Sequence, residues 1–411
     1  MDLLYSLGII AYRGAVRLAS IRSKKARLML KGQRQTFKKL RSTLDPAGGY
    51  IWMHVASLGE FEQGRPLIEM IKKNNPEARI VLSFFSPSGY EVRKNYPLVD
   101  TVVYLPFDTL YNATKFVDIV KPSVAIFVKY EFWGNYLNTL RRRNVPTYII
   151  SSIFRPSQSF FKPWGGMFRN MLKCFNTMYV QNEESRKLLA GIGHDNVVVC
   201  GDTRFDRVAG VKSAAKQFPI IESFVKDTDF TLIMGSSWEP DEEIAMPYFN
   251  EHPSMKLIIA PHEFDRKRLL DIMARTGRKT ALYSQTSPEE AATLDCLIID
   301  SFGLLSSLYQ YGQAAYIGGG FGHGIHNINE AAVYGIPVIF GPKHEKFQEA
   351  HDLIECGGGF CISNAEQFNA VIDRIATDKA YQQHCGKCAG DYIESHLGAT
   401  QVIYDQLKDL F

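Results

Sequence analysis

Between Gly318 and Glu330 the chain reads Gly318-Gly319-Gly320-Phe321-Gly322-His323-Gly324-Ile325-His326-Asn327-Ile328-Asn329-Glu330. Glycines let a backbone come close to a ligand, and a helix that follows offers unpaired N–H groups to an anion. The apolar run Ala314–Ile317 precedes this stretch and Val338–Phe340 follows it. The order is strand, glycine loop, helix, strand. Asn327 is placed to be the N-cap, and Glu330, three residues on, to close a capping box. Alternatively Glu330 faces the loop and binds ribose hydroxyls. A tight turn with no ligand is the plain alternative, but so many glycines beside two histidines favour a nucleotide phosphate site. The pattern is neither GxGxxG nor a P-loop.

Other polar residues also follow apolar runs. Glu60 stands after His54-Val55-Ala56-Ser57-Leu58-Gly59. It is either a complement to a helix N-terminus or a general base beside a glycine. Lys129 and Glu131 follow Val124–Val128, as a salt-bridged rim or as part of a site. Arg204 follows Gly201-Asp202-Thr203, where it either meets phosphate charge or pairs with Asp202 or Asp206. Gly235-Ser236-Ser237-Trp238-Glu239, Pro261-His262-Glu263 and Asp300-Ser301-Phe302-Gly303 repeat the placement further on. Each is weak alone. Their shared position after strands points them all toward one interdomain cleft.

The elements that must hold these residues form two arrays. Apolar runs of strand length alternate with amphipathic stretches. The first array holds Tyr50–Ala56, Ile80–Phe85, Val102–Leu105, Val124–Val128, Thr147–Ile150, Thr177–Val180 and Val197–Cys200. The second holds Phe230–Met234, Lys256–Ala260, Thr280–Tyr283, Cys296–Ile299, Ala314–Ile317 and Val338–Phe340. Such alternation predicts α/β architecture, parallel sheets covered by helices on both faces, in two Rossmann-like domains joined within residues 207–229. Ligands of such sheets bind beyond the carboxyl ends of the strands.

Charge is uneven. Of 47 Lys and Arg and 43 Asp and Glu, residues 1–41 hold eleven basic groups and one acid, Asp2. That segment carries +10 and the remaining chain −6. The body therefore has no nucleic-acid footprint. In the segment, Leu4, Leu7, Ala11 and Leu18 share one helical face and Arg13, Arg17 and Lys24 another. An interfacial helix on anionic lipid fits, as does a helix docked on the protein's own body, or a short bitopic anchor. The arginines interrupt any clean span, and the order of charge and apolarity is the reverse of a signal peptide. Seven scattered cysteines suggest a reducing compartment, and Cys385-x-x-Cys388 lacks a second pair for zinc.

Together these residues resemble a 3-deoxy-D-manno-octulosonic acid (Kdo) transferase of lipopolysaccharide assembly. The matching pieces are Ala56-Ser57-Leu58-Gly59-Glu60, Ser86-Pro87-Ser88-Gly89, Leu105-Pro106-Phe107-Asp108, Glu131-Phe132-Trp133 and Gln181-Asn182-Glu183-Glu184, then Gly201 with Phe205-Asp206, Gly318-Gly319, His326-Asn327 with Glu330-Ala331-Ala332, and Gly341-Pro342. They run in family order over most of the chain. The resemblance implies a GT-B glycosyltransferase that uses CMP-Kdo as donor and a lipid A precursor as acceptor, at the cytoplasmic side of the inner membrane, with no metal or other cofactor. It implies Glu60 as general base, with Lys129, Glu131 and Arg204 beside the reaction. It implies a CMP site at Pro261, His262, Phe302, Gly303, Leu304, Asn327, Ile328, Asn329 and Glu330. Family members commonly carry Glu at the position of Lys129, Lys at that of Arg204 and Pro-Arg at that of Pro261-His262. The implied domains are a membrane-associated segment 1–41, an acceptor domain 42–208, a CMP-sugar domain 209–392 and a C-terminal helix 393–411 that can cross back.

Two other functions fit the same pattern: a GT-B transferase or epimerase using a UDP-sugar, and a non-enzymatic membrane-peripheral nucleotide-binding module. Donor titration separates the first, since CMP should bind and UDP should not. Transfer from CMP-Kdo to a lipid acceptor separates the second.

Overall fold

The computed structural model describes residues 3–411, with side chains from Tyr5 onward. Asp2 and the side chain of Leu4, which entered the reading of the N-terminal segment, lie outside that description. The chain divides into two compact units, Met1–Arg207 with Leu397–Phe411, and Val208–His396.

In the first unit the strands are β1 (Tyr50–Val55), β2 (Ile80–Phe84), β3 (Thr101–Tyr104), β4 (Pro122–Val128), β5 (Thr147–Ser152), β6 (Thr177–Val180) and β7 (Val197–Val199). They form one parallel sheet in the order β3-β2-β1-β4-β5-β6-β7. The apolar runs follow from burial on both faces: every residue of β1 and β2 is buried. Strand order reverses between β1 and β4, so the space beyond their carboxyl ends is the switch point where ligands of open α/β sheets bind. Helix Leu58–Asn74 packs on one face. The C-terminal helix Ala399–Leu407 joins it there, through Ile403 and Leu407 in the cluster that holds Leu67 and Ile71. Tyr179 donates to Gln406 Oε1 at 3.0 Å.

The N-terminal segment packs with the first unit. Helix Lys24–Thr43, capped by the Ser23 hydroxyl on the Ala26 amide, covers the open edge of the sheet. Gln33 Nε2 donates to Leu105 O at 2.9 Å, Thr36 Oγ1 to Tyr104 O at 2.7 Å and Lys39 Nζ to Val102 O at 2.8 Å. These side chains satisfy carbonyls at and just beyond edge strand β3 that would otherwise template pairing with another chain. Gly32 is obligatory there, because a Cβ would sit 2.1 Å from the Tyr104 ring. Helix Leu3–Ala19 precedes it. Tyr5, Ile9, Arg13 and Val16 are half-buried against the unit, and Leu7 and Ile10 point outward.

In the second unit the strands are β8 (Phe230–Ser237), β9 (Met255–Pro261), β10 (Thr280–Leu282), β11 (Cys296–Ile298), β12 (Ala314–Ile317), β13 (Val338–Phe340) and β14 (Gly359–Cys361), all parallel in the order β10-β11-β9-β8-β12-β13-β14. Here order reverses between β8 and β12. The sequence foresaw every strand but β14, whose three residues begin with glycine and contain no β-branched side chain.

Candidate functional site

The switch point of the first sheet carries two carboxylates and a lysine. Glu60 lies in the first turn of helix Leu58–Asn74 and its carboxylate accepts from the Ala56 N–H. Glu131 is buried behind it. It meets His54 Nε2 at 3.0 Å and accepts from Trp133 Nε1 at 2.5 Å, while His54 Nδ1 reaches the Ser83 hydroxyl at 2.9 Å. Burial, with the Glu131 charge adding to it, pushes the Glu60 carboxyl up to about 8; the Ala56 and Ser57 amides and the Lys129 ammonium pull the other way. Lys129 holds the left-handed conformation, φ 63°, at the end of β4. A lysine pays to adopt it, and such strain gathers at functional sites. Ser151, at the end of β5, does the same with φ 51°, and its hydroxyl meets Thr203 Oγ1 at 2.7 Å.

Arg204 stands beyond β7. Of the two acids offered to it, Asp202 takes it: the Arg204 amide donates to Asp202 Oδ1 at 2.9 Å and its Nε to Oδ2 at 2.8 Å. Gln63, from the Glu60 helix, donates to the same carboxylate at 3.1 Å. Asp206 serves the C-terminal helix instead, accepting from the amides of Gly398 and Thr400, each at 2.7 Å.

The switch point of the second sheet is a cavity of about 460 Å³ lined by residues including Trp238, Asp241, His262, Gly319, Phe321 and His326. Its wall is a stack of three rings. The Trp238 and His262 centroids lie 4.8 Å apart with planes tilted by 28°, those of His262 and His326 4.3 Å apart with planes tilted by 24°, and Trp238 Nε1 donates to His326 Nε2 at 3.2 Å. Burial and the neighbouring His262 hold the His326 imidazole down to about 4. Asp241 fixes the glycine loop to the β8 loop. It accepts from the Gly319 and Trp238 amides at 2.9 Å each and from Tyr316 OH at 2.9 Å. Glu242, fully buried, holds Ser237 at 2.8 Å and Arg268 at 2.6 Å behind it.

The glycine loop serves packing as well as approach. A Cβ on Gly318 would lie 2.3 Å from Ser236 O, and one on Gly320 2.5 Å from the Gly341 Cα. Gly319 has φ 93°. The run of glycines therefore has a packing cause beside the ligand site that the sequence reading favoured over a plain turn. The loop still keeps donors: the amides of Gly320, Phe321 and His323 bond to no group among the described residues.

One expectation is corrected here. Asn327 does not cap a helix. The helix is the four-residue Asn329–Ala332 with Ile328 before it, and Asn327 Nδ2 instead donates to Glu330 Oε1 at 3.0 Å. So short a helix has little macrodipole to offer a phosphate. Of the nine positions expected at a CMP site, His262 lines this cavity. Pro261 ends β9 and is buried. Phe302 is 86% exposed against Phe264, with ring centroids 4.5 Å apart, Gly303 has φ 81°, and Leu304 precedes helix Leu305–Leu308. Ile328 is buried. Asn329 is fully buried with both amide atoms unpartnered, a polar group whose desolvation nothing in the fold offsets. Glu330 stands near the phenols of Tyr309 and Tyr334, and its charge adds to burial in raising both.

Sequence reasoning did not name His54, Ser151 or Asp241 as site residues; it offered Asp202 as a partner of Arg204 and His326 as one of the two histidines of the glycine loop. His54 carried a signal, a polar residue in the otherwise apolar Tyr50-Ile51-Trp52-Met53-His54-Val55. Asp241 carried none, since Glu239-Pro240-Asp241-Glu242-Glu243 reads as a solvated helix start.

Comparison with known proteins gives this geometry a setting. Residues 23–207 match the family described as 3-deoxy-D-manno-octulosonic-acid transferase (kdotransferase). The 3-deoxy-D-manno-octulosonic acid transferase of Aquifex aeolicus is 27% identical over 348 residues, 82% of this chain and 89% of that protein. The Haemophilus influenzae protein of the same description is 23% identical over 407 residues, 96% of this chain and 94% of its own. Among solved structures, UDP-GlcNAc 2-epimerase from Neisseria meningitidis bound to UDP-GlcNAc has TM-score 0.61 at 13% identity, covering 88% of this chain and all of that one (100%). MurG of Acinetobacter baumannii has TM-score 0.56 at 10% identity, covering 88% and 99%. At those identities the likeness is one of fold, the GT-B type with two Rossmann-like domains.

Proposed function

We propose that this chain, which belongs with the Kdo transferases of lipopolysaccharide biosynthesis and is a glycosyltransferase, moves Kdo from CMP-Kdo to a hydroxyl of a lipid A precursor, with Glu60 as general base. The observation that carries the reading is the Glu60 carboxyl, raised to about 8 at the carboxyl end of β1 beside Glu131 and Lys129. A base works best when its pKa lies near the working pH, and this one is brought there by burial and a like charge.

In the proposed step the acceptor oxygen forms a bond to the anomeric carbon as the bond from that carbon to the CMP phosphate breaks. Glu60 takes the hydroxyl proton, and CMP leaves with the electron pair. Positive charge develops on the sugar and negative charge on the phosphate. The free amides of Gly320, Phe321 and His323 support a phosphate at the second sheet's switch point, and the unsatisfied amide of Asn329 supports a polar ligand group near Glu330. No metal enters the proposal. The proposed location is the cytoplasmic face of the inner membrane, supported by the exposed apolar face of helix Leu3–Ala19.

The test is Glu60→Gln. Transfer measured as CMP release should fall by roughly 10²–10⁴-fold, while CMP affinity by calorimetry stays near wild type. Wild-type turnover in the variant would reduce Glu60 to a helix-end charge. Binding of UDP in place of CMP would move the donor assignment to a UDP-sugar.

A further inference from the structure

A second pocket, of about 190 Å³, lies on the first unit and is lined by Arg13, Arg17, Leu30, Gln33, Arg34, Phe37, Pro106, Phe107 and Asn112. Three arginines converge on it, two from helix Leu3–Ala19 and one from helix Lys24–Thr43. None of the three makes an ion pair or side-chain hydrogen bond with any described residue. No carboxylate lines the pocket. The acid nearest along the chain, Asp108, is taken up by Tyr5 OH at 2.5 Å and by the amides of Asn135 and Tyr136 at 2.9 Å each. The other polar side chains at the pocket are engaged, Gln33 with Leu105 O and Asn112 with Phe107 O. Lys115, 4.6 Å from the Phe37 ring centroid, adds to the positive field.

Arg13 is half-buried and Arg17 and Arg34 are exposed, so three like charges line one concavity with no anion among the described residues to balance them. A phosphate supplies that anion. The planar guanidinium matches its oxygens two at a time, and three such groups match a dianion. The floor of Leu30, Phe37 and Phe107 is apolar, so the ligand has an apolar part next to its phosphate. A chain of aromatic rings links the pocket wall at Phe107 to the proposed catalytic rim. Tyr12 stacks on Phe85 and packs edge-on to Phe107, and Phe85 lies 4.6 Å from Trp133, whose indole holds Glu131.

We propose that Arg13, Arg17 and Arg34 form a phosphate subsite that binds the phosphomonoester of the acceptor glycolipid and so orients its hydroxyl toward Glu60. This rests on the acceptor being a lipid A precursor, as proposed above. The N-terminal helices are then part of acceptor recognition as well as a contact with the bilayer.

The experiment uses the full chain in detergent, with a phosphorylated lipid A precursor and the same lipid stripped of phosphate by a phosphatase. Arg13→Gln, Arg17→Gln and Arg34→Gln should each raise acceptor KM by roughly 10-fold or more, the scale of a lost charged hydrogen bond, with KM for CMP-Kdo unmoved. Lys38→Gln, an exposed charge on the same helix outside the pocket, should not. On the stripped acceptor, wild type should already show the raised KM and the arginine variants should add nothing. Variants that weaken both acceptors equally overturn the subsite. A second arm measures flotation with phosphatidylglycerol vesicles holding no acceptor. If the variants lose vesicle binding while phosphate on the acceptor makes no difference, the pocket serves bulk lipid headgroups and the proposal fails. If wild type transfers no Kdo at all, the functional reading fails instead, and binding of the phosphorylated lipid by calorimetry, wild type against Arg13→Gln, still decides the subsite.

Discussion

At the scale of single residues, the question is what would suit Glu60 to the proposed role of base. It sits in the first helical turn and accepts the Ala56 amide, yet its carboxyl is raised to about 8, because burial and Glu131 outweigh the amides and Lys129. The charges around it can be changed one at a time. Glu131→Gln removes the repelling anion, so the Glu60 pKa falls and the acidic limb of the rate profile should move to lower pH. Lys129→Gln removes the attracting cation and should move it to higher pH. Limbs that stay fixed in both variants would show that another group titrates in the profile. The same shift has a stability side. A carboxyl whose folded pKa is raised from an ordinary 4.5 to about 8 contributes stability at low pH that is lost as pH rises through about 8. Glu60→Gln should therefore melt at a higher temperature than wild type at pH 9, and near the wild-type value at pH 5. Glu60 was legible in the sequence because its context, Ala56-Ser57-Leu58-Gly59, lies next to it along the chain. His54 and Asp241 were not, because their roles depend on partners far away in sequence, Glu131 and Gly319, that only the fold brings near; of Asp202 the local pairing with Arg204 was legible and the bond from Gln63 was not.

At the scale of elements, strand positions were legible and helix starts were not. A buried parallel strand announces itself as an unbroken apolar run, whatever surrounds it. The helix after the glycine loop was misread because Asn327 has cap chemistry yet spends its amide on Glu330, and the turn begins only at Asn329. The glycine loop shows what an element can require beyond a ligand. A methyl on Gly320 would meet backbone at 2.5 Å, where no side chain can give way. Gly320→Ala should cost about 1–3 kcal/mol, the range for overpacking a close contact, read as a lower urea midpoint with unchanged slope. An unchanged midpoint would mean that the loop can shift away from Gly341. The N-terminal helix has its own fastening. Tyr5 OH donates to buried Asp108 and accepts the Gly134 amide at 3.0 Å, tying that helix to the loop that carries Glu131 and Trp133. Tyr5→Phe removes a hydrogen bond to a charged group, worth about 1.5–3 kcal/mol. Hydrogen exchange should then speed up in helix Leu3–Ala19 and leave the sheet protected. Equal protection in both proteins would show that ring packing alone holds the helix.

At the scale of the whole molecule, charge and apolar exposure sort to the same end of the chain. Residues 1–41 carry +10 against −6 for the rest. The first helix and the turn after it expose Leu7 by 52%, Ile10 by 58%, Leu18 by 72% and Ile21 by 75%. The sequence offered docking on the body, lying on a membrane and a short bitopic anchor as alternatives. The inner face is fastened by Tyr5 and Tyr12, and the outer face is an apolar stripe with no protein partner among the described residues. No helix among the described residues is long and apolar enough to cross a membrane. The cover proposed for the stripe is the bilayer surface. Each basic group near an anionic surface is worth about 1 kcal/mol, and salt screens that part over a Debye length of roughly 10 Å at 0.1 M. A Leu or Ile fully buried in lipid gives about 1.5–3 kcal/mol that salt does not screen. Binding to anionic vesicles should therefore weaken as salt is added and level off above zero. Leu7→Asp with Leu18→Asp should abolish that residual, salt-resistant binding. Turnover on a detergent-dispersed acceptor should survive, since neither side chain touches the arginine pocket or the Glu60 rim. Vesicle binding by the double variant equal to wild type at high salt would mean that the exposed stripe does not meet the bilayer and that something other than these side chains holds the protein to the vesicle.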